Sequence, residues 1–69
     1  MGRLYDLASK VSRSLEDRYV GDPLGLVRAK GTLATRVGFL VSLIGRDDMD
    51  DPEKIAKLQA AAVELGIQL

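Results

Sequence analysis

The chain contains no cysteine, histidine or tryptophan, and its aromatic residues are limited to Tyr5, Tyr19 and Phe39. Without cysteine no disulfide can form, and without cysteine or histidine there is no typical structural zinc site. The usual general base near neutral pH and the thiol nucleophile are also missing, so most enzyme classes lose their central group. Ser9, Ser12, Ser14 and Ser42 have no evident activating partner, and a catalytic lysine would need a deep pocket that so short a chain scarcely forms. The expectation is a protein that is not an enzyme and holds no cofactor or metal.

Long apolar runs are absent too. The longest, residues 37–44, is interrupted by Gly38 and Ser42 and falls far short of the roughly 20 residues needed to span a bilayer. The opening Met1-Gly2-Arg3-Leu4-Tyr5-Asp6 has no apolar stretch of the kind a secretory signal needs, and Leu7 stands where a myristoylation signal wants Ser or Thr. A cytoplasmic protein with no membrane attachment is expected.

These absences matter for stability. A chain of 69 residues buries only roughly 60% of the surface its unfolded form exposes, and it has no disulfide or structural metal to compensate. Regular packing or a partner subunit must supply the rest. Charge is balanced at ten basic and ten acidic residues, which argues against non-specific nucleic-acid binding. It is unevenly placed, however: residues 1–46 carry eight basic and four acidic side chains, residues 47–69 two basic and six acidic. Such asymmetry can steer a partner or a second copy.

Helical periodicity fills the chain. Leu4, Leu7, Ala8, Val11 and Leu15 recur at intervals of three and four, which predicts an amphipathic helix over residues 3–19, stopped by Gly21 and Pro23. Asp22-Pro23 has the form of a new start, an N-cap carboxylate followed by proline in the first helical position. From there the pattern predicts a long second helix over residues 23–44, with Gly31 as a possible break point that would give a four-helix variant. Gly45 stops it, and an acidic loop follows. Asp51-Pro52-Glu53 repeats the start signal and opens a third helix over residues 52–65, closed by Gly66 and Ile67. No hairpin signal or strand-like alternation appears. The predicted fold is a single all-α, three-helix domain over residues 1–69, with a long central helix that dimerises into a helical bundle.

Helix 2 carries the most information about function. Leu26, Leu33, Val37, Leu40 and Ile44 form one stripe, and Leu24, Val27, Ala34 and Val41 form a second beside it. Together they are wider than the stripe of about 100° that one neighbour requires. Ala34 and Gly38 have the small-xxx-small spacing that permits close helix approach, although Gly31, Gly38 and Gly45 can equally make room within one chain or end a helix. Phe39 falls in the row Arg28, Thr32, Thr35, Phe39, Ser42, Arg46, otherwise the polar side of the helix. Either helix 2 is covered nearly all round, or Phe39 belongs to a patch that another molecule covers.

Asp47, Asp48, Asp50 and Asp51 raise the question of calcium. Counted from Asp47, the positions that need glycine and glutamate in an EF-hand loop are Pro52 and Leu58, so helix capping with solvated charge fits better. Arg3, Lys10, Arg13, Arg28, Lys30 and Arg36 are the residues nucleic acid would use, but Asp6 and Asp17 share a helix face with three of them. A helix-turn-helix from helices 2 and 3 would need a shorter, less acidic turn. The function expected is therefore a non-enzymatic helical protein–protein interaction module, regulatory, adaptor or assembly in kind. It self-associates as a homodimer through helix 2, using Ala34, Gly38, Phe39 and Leu40 with Asp47, Asp48 and Asp50 of the acidic loop. The alternative is a small dimeric DNA-binding transcriptional regulator.

Overall fold

The computed structural model describes residues 2–46 and 48–67. It forms three α-helices, α1 (Arg3–Arg18), α2 (Pro23–Val37) and α3 (Pro52–Glu64), with a 3₁₀ turn at Val41–Leu43; no strand occurs among the described residues.

The most thoroughly enclosed element is α1. Leu4, Ala8, Val11 and Leu15 lie on one stripe, none more than 4% exposed, and α2, α3 and the 3₁₀ turn all pack against this helix. At about 1.5–3 kcal/mol for each large aliphatic side chain removed from water, that stripe outweighs any single cap or ion pair in the molecule. From α2 come Ala29, Leu33 and Val37, and from α3 come Leu58, Ala61 and Ala62, with Val41 and Ile67 completing one shared core. The small side chains of Ala61 and Ala62 let α3 lie close against its neighbours.

The long central helix expected over residues 23–44 does not form. α2 has 15 residues, about 22 Å of helix, and stops at Val37 because Gly38 adopts the left-handed conformation (φ 81°) and donates its N–H to the Ala34 carbonyl at 2.8 Å. Gly31 causes no break and sits inside the helix. The turn at Gly38 has a packing consequence. It swings the chain back so that Val41 enters the core, with Phe39 and Ile44 half-buried against it. A helix continuing through these residues would have carried Val41 along its axis and away from α1. The three helices pack each against the other two around one shared core, to which α1 gives the longest buried stripe.

Two long-range hydrogen bonds fix α1 and α3 side by side in the same direction. At their N-terminal ends, Asp50 Oδ1 accepts the Leu4 N–H at 3.1 Å; at their C-terminal ends, Arg18 donates to the Leu65 carbonyl at 2.6 Å. Gly2, the N-cap of α1, has no side chain to offer, so Asp50 caps that helix from 46 residues away. The other two starts are capped locally as the sequence implies: Asp22 accepts from Gly25 N–H and Asp51 from Glu53 N–H, both at 2.9 Å. In the last turn of α2, Arg36 pairs with Glu64 in the last turn of α3. Both partners are about half exposed, so this pair adds little to stability.

The bond donated by Leu4 N–H holds the Asp50 carboxyl below its ordinary pKa. A carboxylate depressed in the folded state contributes stability that is fully present above its unfolded value and is lost as pH falls through the folded one. Asp50→Asn should therefore lower the melting temperature at pH 7, while losing less stability than the parent between about pH 5 and pH 3. Parallel thermal melts across that range check both halves of the expectation.

Candidate interaction surface

Large apolar side chains are exposed at several points, Val20, Leu43, Met49 and Val63 among them, and the outer side of α2 is where two of them stand on one helix face. Leu24 and Val27 are 74% and 68% exposed, and with Gly31 and the half-buried Ala34 they fall at intervals of three, four and three along one stripe. The stripe ends at a cleft of about 100 Å³ between α1, α2 and the 3₁₀ turn. Leu15, Leu33 and Val41 supply its floor from the core, Leu40 (56% exposed) stands at its edge, and Ser12, Ser42 and Lys30 bring polar atoms to it. It is an open apolar notch with one cationic side chain.

The glycines of α2 separate into two kinds. A Cβ on Gly25 would run into the Asp22 carboxylate and the Tyr19 ring, so glycine there leaves room for the cap and the turn beneath it. A Cβ on Gly31 would meet nothing within 4 Å, and Gly31 lies in ordinary helical conformation. Glycine at such a site costs about 1 kcal/mol relative to alanine with no return inside the chain.

The expected interaction residues divide between two parts of the molecule. Ala34 and Leu40 both line the cleft. Gly38 is the left-handed cap of α2, which accounts for it without any helix partner. Phe39 follows that cap and so lies on no helix face; it is half-buried against the core, with the Lys54 ammonium 5.3 Å from its ring centroid. Asp47 lies outside the described residues. Asp48 accepts the Gly45 N–H at 2.8 Å and Asp50 the Leu4 N–H, so both are engaged in shaping the chain at the far end of α1. With Asp51 on Glu53, each described carboxylate of the acidic loop serves its own backbone amide, and no group of three or more potential metal ligands gathers among the described residues.

No protein-family model, curated protein or solved structure matches the chain.

Leu24 and Val27 were visible in the sequence as a second apolar stripe, but periodicity alone cannot tell a stripe covered by a neighbour from one left open. Gly31 could have pointed the way, since a glycine without a cap, turn or break to serve is unusual within a helix. No described helix is long and apolar enough to cross a membrane.

Gly31→Ala should raise the unfolding free energy by about 1 kcal/mol. Urea denaturation measures this, and a loss of stability would show that the chain itself needs the glycine.

Proposed function

We propose that the protein is a non-enzymatic protein–protein interaction module, regulatory, adaptor or assembly in kind, whose docking surface is the outer stripe of α2 and the cleft at its end. The observation that carries this reading is Leu24 and Val27, largely exposed and aligned with a glycine that nothing in the chain requires. Large apolar side chains scattered singly on a surface need no explanation, but two of them aligned with a small-residue gap and an apolar notch resemble a binding groove. The surface differs from the one expected around Phe39: that ring is already engaged by Lys54 and the core, so α2 docks through its outer stripe instead. Self-association through this stripe, giving a homodimer, is one way to use it, since two-fold dimers are the commonest homo-oligomers.

Val27→Asp separates binding from folding, because Val27 makes no core contribution that the charge would disrupt. The variant should keep its melting temperature within a few degrees while losing partner capture in pull-downs, or losing any concentration-dependent mass in light scattering. Unchanged behaviour in both assays would remove the docking reading.

One specific arrangement favours a second reading, a regulator that binds nucleic acid. Lys10, Arg13 and Arg46 gather with Ser9 and Asp6 around Tyr5 in a shallow depression on α1, with the Arg46 guanidinium 5.8 Å from the Tyr5 ring centroid. The Arg46 guanidinium, with the Ser9 hydroxyl beside it, favours the phenolate and lowers the Tyr5 pKa. Phosphate contacts by these cations would give binding that weakens steeply with salt. Gel shifts at low and moderate salt decide it: no retardation at low salt eliminates this reading.

A further inference from the structure

The charges that border the α2 stripe specify what it takes. We infer that the occupant is an amphipathic helix with acidic residues along both edges of its apolar face. This rests on the docking reading above and adds the chemistry of the partner.

Shape comes first. Leu24, Val27, Gly31 and Ala34 follow one helical line over ten residues, roughly 15 Å or about three turns. A helix laid along such a line presents its own side chains at i, i+3 or i+4 and i+7, the spacing by which grooves of this kind are recognised. Open space at Gly31 lets a second backbone come near the middle of the contact, since no Cβ stands there. The cleft that Gly31 and Ala34 help to line, at about 100 Å³, is smaller than the roughly 150 Å³ cavity that accommodates benzene, which suits one aliphatic side chain as an anchor.

Charge then selects among helices. At 3.6 residues per turn, Arg28 and Lys30 fall about 80° to either side of the stripe's midline, one cation on each rim. α2 contains no acidic residue at all, and its third cation, Arg36, is paired with Glu64. Arg28 and Lys30 make no ion pair among the described residues. An acidic-edged helix would meet a cation on each side, whereas a second copy of α2 would bring only cations. In a two-fold antiparallel pair centred on Gly31, Lys30 would lie within one turn of its own duplicate, and a parallel pair would set Arg28 of one copy beside Lys30 of the other. Such like-charge juxtaposition works against the second copy. An anionic bilayer would satisfy the cations but has no use for the notch or for the missing Cβ, and membrane-surface helices carry a denser row of bases than two.

The test uses two synthetic helical peptides of about 18 residues, five turns, with leucines at i, i+3, i+7 and i+10. One carries glutamates on both edges of the leucine row and its twin carries lysines there. Each is titrated into the isotopically labelled full chain, alongside vesicles of phosphatidylcholine and phosphatidylserine. The glutamate peptide should shift the amide signals of Leu24, Val27, Gly31 and Ala34 and bind at least about 10-fold more tightly than its twin. The double variant Arg28→Glu/Lys30→Glu, which alters exposed rim charge and leaves the core alone, should reverse that order. Equal affinity for the two peptides would overturn the charge inference while leaving α2 as a docking surface. Response to vesicles alone would also overturn it, in favour of a lipid surface. A mass that rises with concentration for the parent but not for Val27→Asp, with neither peptide bound, would make the occupant a second copy. Silence in every arm would sink this inference and the docking reading together.

Discussion

Burial of the Leu4, Ala8, Val11 and Leu15 stripe on α1 is the constraint from which the rest of the architecture follows. In so short a chain, one helix can be surrounded only if the others give up their own second faces. α2 contributes Ala29, Leu33 and Val37 to the core that it shares with α1 and α3, and α3 contributes Leu58, Ala61 and Ala62. Among the described residues no further element covers their opposite sides. The outer stripe of α2 is left open among the described residues, with Leu24 and Val27 exposed on it.

Polar groups refine this arrangement and contribute less to holding it together. Asp50 and Arg18 each satisfy a free backbone group at an end of a helix that is distant in sequence, and between them they set the register and direction of α1 against α3. Helix termini expose unpaired N–H and C=O groups in any case, so bonds of this kind remove a liability as well as adding an attraction. The acidic loop has its role here. Asp50 and Asp51 cap the N-terminal ends of α1 and α3, and Asp48 closes the turn at Gly45.

Local chemistry made much of the fold legible in the sequence. Both Asp-Pro starts are the caps they resemble, α1 and α3 end within one residue of their expected limits, and Gly66 takes the left-handed conformation (φ 73°) ahead of a buried Ile67. The end of α2 was not legible, for a physical reason. Gly31, Gly38 and Gly45 are equivalent stop candidates on local grounds, and the choice of Gly38 is made by Val41, whose place in the core becomes reachable only if the chain turns there. The Asp50 cap is hidden for a similar reason, since nothing near Leu4 in the sequence announces a carboxylate 46 positions later. The surface was legible in composition and not in location. Placing Phe39 on a helical row assumed the longer helix, and when that helix ends early the ring moves to the core's edge and the open apolar row proves to be Leu24 and Val27.

Of the two adjoining apolar stripes expected on helix 2, Leu33 and Val37 of the first are buried in the core while Leu24 and Val27 of the second stay exposed, and beyond Gly38 the order reverses, with Val41 buried and Leu40 exposed. The same substitution at a centre position and an outer position measures that division directly. Leu15→Ala and Leu24→Ala remove identical atoms, from a side chain 1% exposed on α1 and one 74% exposed on α2. In urea unfolding of the full chain, the account requires Leu15→Ala to cost about 2–5 kcal/mol and Leu24→Ala no more than about 0.5 kcal/mol. Comparable losses at the two positions would mean that Leu24 belongs to the folding core and that α2 has no free face.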